Sequence, residues 1–247
     1  MFISLLQTVK KTIVALNIQT FKTRALTALI FVIVMLAGLF INVWGFMVLF
    51  ITIMAGCLYE FAKIMKLIKG NNYLNFLPLS IIYIIMPVYM MIDLGITVHV
   101  NNTVSDDLSL LFNPVIPCII LFSLWINDTM AYLVGSFIGK TPLSPISPKK
   151  TWEGTIGGAI LCITAISVIG RFIPATAPLG WKNLLAISLL CAVFGILGDL
   201  LESKLKRMAN IKDSGNIMPG HGGFLDRFDS MLVATPFVWL YITLIFN

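Results

Sequence analysis

Long apolar segments separated by short polar stretches form the main pattern along this chain. Residues 25–59 contain no Asp, Glu, Lys or Arg, and this run is longer than the about 20 residues that one membrane-spanning helix needs. We therefore expect two antiparallel spans there, with a turn at residues 42–45. Five further apolar segments follow, at residues 76–92, 115–138, 154–170, 184–201 and 231–246. The pattern predicts an all-α, polytopic integral membrane helix bundle of about seven spans, with six or eight as alternatives.

The composition supports this prediction. Hydrophobic residues make up 58% of the 247 residues and charged residues 11%, whereas soluble domains have roughly 45–50% and about 25%. An ordinary soluble domain is therefore excluded, and so is a disordered chain. We treat residues 1–247 as a single membrane domain. It consists of an amphipathic, interfacial N-terminal segment at 1–24, N-terminal spans at 25–124, and spans and loops with the candidate chemistry at 125–247.

The basic residues indicate the orientation of the spans. With a cytoplasmic N-terminus and seven spans, 15 of the 17 Lys and Arg residues lie in cytoplasmic segments, and only Arg171 and Lys182 lie outside. This is the bias that membrane proteins show. It also accounts for the net charge of +6, so we expect no nucleic-acid partner.

Acidic residues within or beside the apolar segments are the first candidates for chemistry. An acid inside a span costs about 2.5–3.5 kcal/mol and is a functional candidate by default. Asp128 lies within the segment 115–138, and Asp199 lies near the end of the segment 184–201. Glu202 and Ser203 follow Asp199 by one turn on the same helix face. The alternative for each acid is a structural ion pair with a neighbouring Lys or Arg.

The densest polar stretch is residues 203–229. Asp226 and Asp229 are spaced i, i+3, so their carboxylates share a helix face and could hold one hard cation through oxygen. Glycines before them lack the Cβ atoms that would keep a phosphate from the backbone N–H groups; they are Gly220, Gly222 and Gly223. The alternative is a solvated basic loop with a glycine turn.

A second polar segment covers residues 139–154. Its prolines favour an ordered loop over a helix. Lys149 and Lys150, with the hydroxyls of Ser147 and Thr151, suit phosphate oxygens. The alternative is that the lysines only anchor the loop on the cytoplasmic side.

These polar residues resemble, position for position, the signature of the phosphatidate cytidylyltransferases, also called CDP-diacylglycerol synthases. The C-terminal part of the signature is Ser203, Lys206-Arg207, Lys212-Asp213, Pro219, His221-Gly222-Gly223 and Asp226-Arg227-x-Asp229. The upstream part is Asn127-Asp128, Ala131-Tyr132 and Ser147-Pro148-Lys149-Lys150-Thr151-x-Glu153-Gly154. The resemblance covers residues 125–230 approximately.

The resemblance implies transfer of a cytidylyl group from CTP to phosphatidic acid, which gives CDP-diacylglycerol and pyrophosphate in phospholipid biosynthesis. It implies a site with one or two Mg²⁺ ions, held by Asp199, Asp226 and Asp229 with Asp128 as a further ligand. Lys212 joins the first three as a catalytic residue. The substrate-binding set is Ser147, Lys149, Lys150, Thr151, Ser203, Lys206, Arg207, His221, Gly222, Gly223 and Arg227.

The chemistry explains why such residues are needed. Nucleotidyl transfer depends mainly on positioning and on electrostatic stabilisation, so it needs metal on carboxylates and cations around the phosphates. The expected partners are CTP, phosphatidic acid and membrane lipid, and a homodimer is the oligomer we consider. We expect an integral protein of the bacterial inner membrane with its active site facing the cytoplasm. The rivals are a CTP-dependent enzyme with another lipid acceptor and a cation-coupled transporter, which would also place acids in spans.

Overall fold

The computed structural model describes residues 18–96, 112–217 and 222–246. Most of the predicted interfacial segment lies outside these residues, and His221 also lies outside them. Within them the chain forms seven α-helices and one short β-hairpin, which confirms the all-α class.

The helices follow the apolar segments. They are α1 (Ile18–Phe40), α2 (Val43–Lys69), α3 (Met86–Ile96), α4 (Val115–Ile138), α5 (Trp152–Phe172), α6 (Gly180–Met208) and α7 (Leu225–Tyr241). The antiparallel hairpin of β1 (Pro142–Ser144) and β2 (Ser147–Thr151) lies between α4 and α5. It occupies the segment in which the prolines predict an ordered loop.

The predicted turn between the first two helices is confirmed. Asn42 precedes α2, and its side-chain oxygen accepts a hydrogen bond from the backbone N–H of Gly45 at 2.7 Å. Such a cap satisfies one of the N–H groups that a helix start leaves unpaired. Gly38 faces Leu49, where a Cβ atom would have no room, so the glycine lets the two helices pack closely.

The third apolar segment is less regular than predicted. Its α-helix α3 begins only at Met86, after a 3-10 helix (Gly70–Phe76) and a π-helical turn (Ile81–Ile85). Pro78 lies between these two short elements, and a proline cannot donate the hydrogen bond that a continuous helix requires.

Five helical segments are long and apolar enough to cross a membrane: Val43–Phe76, Val115–Ile138, Trp152–Phe172, Ala177–Met208 and Leu225–Ile245. Ala25–Phe40 and Ile81–Ile96 are apolar but shorter. Large side chains such as Phe137 and Phe172 are exposed, as expected of surfaces that face lipid. The chain is therefore an integral membrane protein, while the number of crossings and their direction stay predictions.

A close contact between α6 and α7 positions the candidate site. Gly198 on α6 lies against the backbone of Asp229 and Ser230, where a Cβ atom would have no room. Gly195 lies one helical turn before Gly198, and its carbonyl oxygen accepts a hydrogen bond from the hydroxyl of Ser230 at 2.9 Å. The contact therefore brings Asp199, the neighbour of Gly198, beside Asp229.

We expect both polar segments to face the cytoplasm. Single cysteines at Ser147 and Asn216 should be protected from an impermeant thiol reagent outside the cell, and a cysteine at Ser105 should react. The native cysteines are buried thiols, so their background labelling should be low. Labelling of the Ser147 position from outside the cell would overturn the predicted orientation.

Candidate active site

Three carboxylates meet where α6 and α7 are in contact. Oxygen atoms of Asp199, Glu202 and Asp229 lie within 4.8 Å of one another. Glu202 and Asp229 are buried and Asp199 is half-buried. Like charges at this spacing repel unless cations neutralise them. We call these three residues the acidic cluster.

The acidic cluster fits a hard divalent cation. Carboxylate oxygens are the ligands that Mg²⁺ prefers in proteins. Oε1 of Glu202 is buried and has no hydrogen-bond partner among the described residues, so this oxygen is available to a cation. The donor set therefore suits the predicted magnesium site, and it includes Glu202, which the sequence did not assign as a ligand.

Two lysines contact these acids. Lys206, one turn after Glu202 on α6, forms ion pairs with Glu202 and with Asp226, the latter at 2.6 Å. Lys150 comes from the β-hairpin and forms an ion pair with Asp199. Both polar segments thus meet at one end of the helix bundle. The two ammonium groups form ion pairs with three carboxylates, and Asp229 lies beside them, so these pairs neutralise the local negative charge only in part.

Asp226 has other contacts. Its Oδ2 accepts hydrogen bonds from the backbone N–H of Ser214 at 2.8 Å, the Ser214 hydroxyl at 2.9 Å and the N–H of Gly223 at 2.9 Å. Its Oδ1 accepts one from Lys206. The i, i+3 spacing with Asp229 therefore does not bring Asp226 into the acidic cluster. Its role as a metal ligand stays a prediction.

Asp128 lies on α4, outside the acidic cluster. Its side chain is exposed, and its charge interacts with those of Lys150, Arg227 and Asp229. It therefore faces the same region, and its role as a further metal ligand stays a prediction.

The β-hairpin presents its lysines on an ordered support. The carboxylate of Glu153 accepts hydrogen bonds from the backbone N–H groups of Lys140 and Thr141 and, at 2.8 Å, from the Thr141 hydroxyl. Thr151 caps α5 by accepting a hydrogen bond from the N–H of Gly154 at 3.2 Å. Lys149 is exposed. The hairpin therefore holds Lys150 at Asp199 and leaves the neighbouring Lys149 exposed.

The other predicted binding residues lie around the end of α6 and the start of α7. Ser203 and Gly222 are half-buried and Gly223 is buried, whereas Arg207, Lys212 and Arg227 are exposed. Their roles in substrate binding stay predictions.

Two acids missing from the predicted site are prominent in the structure. Glu202 belongs to the acidic cluster, and its i, i+3 spacing from Asp199 was the signal that could have placed it there. Glu60 on α2 hydrogen-bonds to the start of α7. In the sequence, Glu60 is a single acid that directly follows a long apolar run. That position was the only sequence signal for a role of Glu60.

Comparisons with known proteins identify the family of this chain. Residues 112–245, more than half of the chain, match the sequence model of the cytidylyltransferase family. The chain belongs to this family. The matched residues include α4 to α7, the hairpin and the whole acidic cluster. They do not include α2, which carries Glu60.

Several relatives are named phosphatidate cytidylyltransferase. The protein of Bacillus subtilis is 40% identical over 171 residues, which are 69% of this chain and 58% of the relative. The protein of Staphylococcus saprophyticus is 48% identical over 113 residues, 45% of this chain and 43% of the relative. That of Aquifex aeolicus is 41% identical over 123 residues, 49% and 45% of the two chains. The chain thus covers about half the length of these relatives.

Proposed function

We propose that this protein transfers the cytidylyl group of CTP to phosphatidic acid, forming CDP-diacylglycerol and pyrophosphate. The observation that carries the proposal is the acidic cluster with Lys150 and Lys206 beside it, at one end of an apolar helix bundle. The names of the relatives supply the substrate class. Charged phosphates and a membrane-embedded acceptor can meet at such a place.

The reaction needs little acid–base chemistry. The phosphate of the lipid is already an anionic nucleophile, so its oxygen can attack the α-phosphorus of CTP without a strong base. That bond forms while the bond from the α-phosphorus to the oxygen bridging to the β-phosphate breaks, and pyrophosphate leaves. The main difficulty is the repulsion between two polyanions.

The residues of the site would reduce this repulsion. Asp199, Glu202 and Asp229 would hold Mg²⁺, which supplies positive charge to the phosphate oxygens. Lys150 and Lys206 hold the carboxylates in place and add positive charge beside them. The exposed Lys149 would bind phosphate oxygens directly. The proposal includes one or two Mg²⁺ ions and Asp226 as a further ligand.

An apolar groove supports a lipid acceptor. A cavity of about 660 Å³ opens between α2, α3, α6 and α7, a size typical of ligand pockets. Leu205 and Leu232 line it, and each follows an acid of the cluster, Glu202 or Asp229, by three residues. The buried hydroxyl of Tyr83, which also lines it, has no hydrogen-bond partner among the described residues. The groove could hold an acyl chain of the lipid.

The test is a reaction of the purified full chain with CTP, Mg²⁺ and phosphatidic acid in detergent. We expect CTP consumption that depends on both Mg²⁺ and lipid, and a lipid product with the mass of CDP-diacylglycerol. CTP consumption with a polyprenyl phosphate alone would favour the other acceptor class. A protein that consumes no CTP but moves cations in vesicles would be the transporter.

The cellular setting belongs to the same proposal. The bias of basic residues towards one side supports a bacterial inner-membrane protein whose site faces the cytoplasm, where CTP is available. A homodimer stays a prediction, to be checked by the mass of the purified protein in detergent.

We expect Lys149→Ala to lower the kcat/KM for CTP by about tenfold to a hundredfold, because one charge-assisted contact to phosphate is lost. The loss should appear mainly in KM. The control is Lys182→Ala, which removes another exposed lysine near the start of α6, far from the acidic cluster. Equal losses in both variants would mean that general surface charge, and not a site, attracts the nucleotide.

A further inference from the structure

A buried carboxylate on α2 contacts the opposite end of the sequence. Glu60 is only 1% exposed. Its Oε1 accepts a hydrogen bond from the backbone N–H of Phe224 at 3.0 Å. Its Oε2 accepts one from the N–H of Leu225 at 2.9 Å and one from the hydroxyl of Ser214 at 2.7 Å. Glu60 thus contacts the chain at Ser214, after α6, and at Phe224 and Leu225, where α7 begins.

These donors explain why the chain keeps an acid here. The N–H groups at a helix start have no partner within the helix, and Phe224, which precedes α7, makes no side-chain cap of its own. Glu60 provides the cap from another helix. Its negative charge is further stabilised by the positive end of the α7 dipole.

Ser214 connects Glu60 with Asp226. Its Oγ lies 2.7 Å from Oε2 of Glu60 and 2.9 Å from Oδ2 of Asp226, and it accepts a weaker hydrogen bond from the N–H of Asp226 at 3.3 Å. A hydroxyl has a single proton, so the two carboxylates share one donor. Ser214 is therefore held between α2 and α7.

Two glycines lie directly against the Glu60 carboxylate. A Cβ atom at Gly215 or at Gly223 would collide with the Glu60 carboxylate. Gly223 also donates its N–H to Asp226. The two glycines therefore leave the space that the hydrogen-bonded Glu60 carboxylate occupies.

We infer that Glu60 is a positioning residue for the active site. It acts through Ser214, two residues after Lys212, and through the first turns of α7, which carry Asp226 and Asp229. Glu60 lies outside residues 112–245, so the family-matched part of the chain depends on a side chain from the N-terminal half. The effect on catalysis rests on the proposed function, whereas the effect on the loop does not.

The central variant is Glu60→Gln. Glutamine has the same size, but its amide NH₂ replaces one of the two carboxylate oxygens that accept hydrogen bonds. This NH₂ group would then face an N–H or O–H donor. We expect a cysteine introduced at the exposed Asn216 to react about tenfold faster with a thiol reagent in Glu60→Gln, as one lost charge-assisted hydrogen bond would allow. The KM for CTP should rise by a similar factor.

The matched control is Asp93→Asn. Asp93 is also an acid that joins two helices, because it accepts a hydrogen bond from Nε1 of Trp239 at 2.7 Å. Trp239 lies ten residues after Asp229 on α7, about 15 Å along the helix. Asp93→Asn should therefore leave both the labelling of position 216 and the KM for CTP unchanged, even where it lowers the melting temperature.

Ser214→Ala tests the inference independently if Glu60→Gln does not fold. It removes only the shared hydroxyl and should change labelling and KM in the same direction, whereas Ser80→Ala, at another buried serine, should change neither. Unchanged labelling and KM in folded Glu60→Gln, or in Ser214→Ala, would overturn the inference. A wild-type chain without CTP turnover would refute the proposed function, and the labelling would still test Glu60.

Discussion

Replacement of Asp229 by Asn is expected to abolish turnover, with a loss of about a thousandfold or more, equal to about 4 kcal/mol of transition-state stabilisation. Asn keeps the shape and one oxygen ligand but removes the charge that the acidic cluster contributes to a metal. Because Asp229 is buried beside Asp199 and Glu202, water cannot substitute for that charge. The measurement is CTP turnover together with a melting curve, and raised Mg²⁺ should not restore activity.

Asp226→Asn provides the comparison. We expect it to abolish turnover as well, but its contacts with Ser214, Gly223 and Lys206 add a structural cost, so its melting temperature should fall further than that of Asp229→Asn. Direct Mn²⁺ binding to each variant separates the roles. An Asp229→Asn protein that melts early, binds Mn²⁺ normally and still turns over at low temperature would assign Asp229 to structure alone.

Lys206→Met should cause the largest loss of stability. Lys206 forms ion pairs with Glu202 and Asp226 and is 14% exposed, so its removal leaves two shielded carboxylates without their cation. Breaking a buried ion pair in this way typically costs about 3–5 kcal/mol. We expect a lower melting temperature and no turnover. Thermal unfolding in detergent, combined with the CTP assay, measures both.

The control for this variant lies two residues earlier. Lys204 is exposed on the same helix, and Lys204→Met should change neither melting nor turnover appreciably. In addition, Glu202→Gln combined with Lys206→Met should cost less than the sum of the two single changes, because the residues interact directly. Strict additivity, or an unchanged melting temperature in Lys206→Met, would contradict the ion-pair contribution.

Local signals determined the class of this protein and the general location of its chemistry. Apolar runs of span length predict membrane helices wherever they occur, and the turn at Asn42 follows from a polar residue between two such runs. The two polar segments could be recognised by composition, and their residues carry the family resemblance. None of these inferences needs the neighbours of a residue in space.

The detailed site depended on the tertiary structure. The i, i+3 spacing of Asp226 and Asp229 is a true helical relation, yet it cannot show which acid a second helix will approach. The contact of Gly198 with α7 brings Asp229 to Asp199 and Glu202, whereas Asp226 hydrogen-bonds to Ser214 and Gly223.

Glu60 shows the same limit most clearly. It is separated from its partners Ser214 and Leu225 by 154 and 165 residues. The apolar pattern around it specifies a helix and nothing about a partner. Periodicity reports only which residues share a face within one element, while a hydrogen bond between distant elements exists only once all the helices between them have packed. That packing, and not the pattern along the chain, places a carboxylate from α2 at the start of α7.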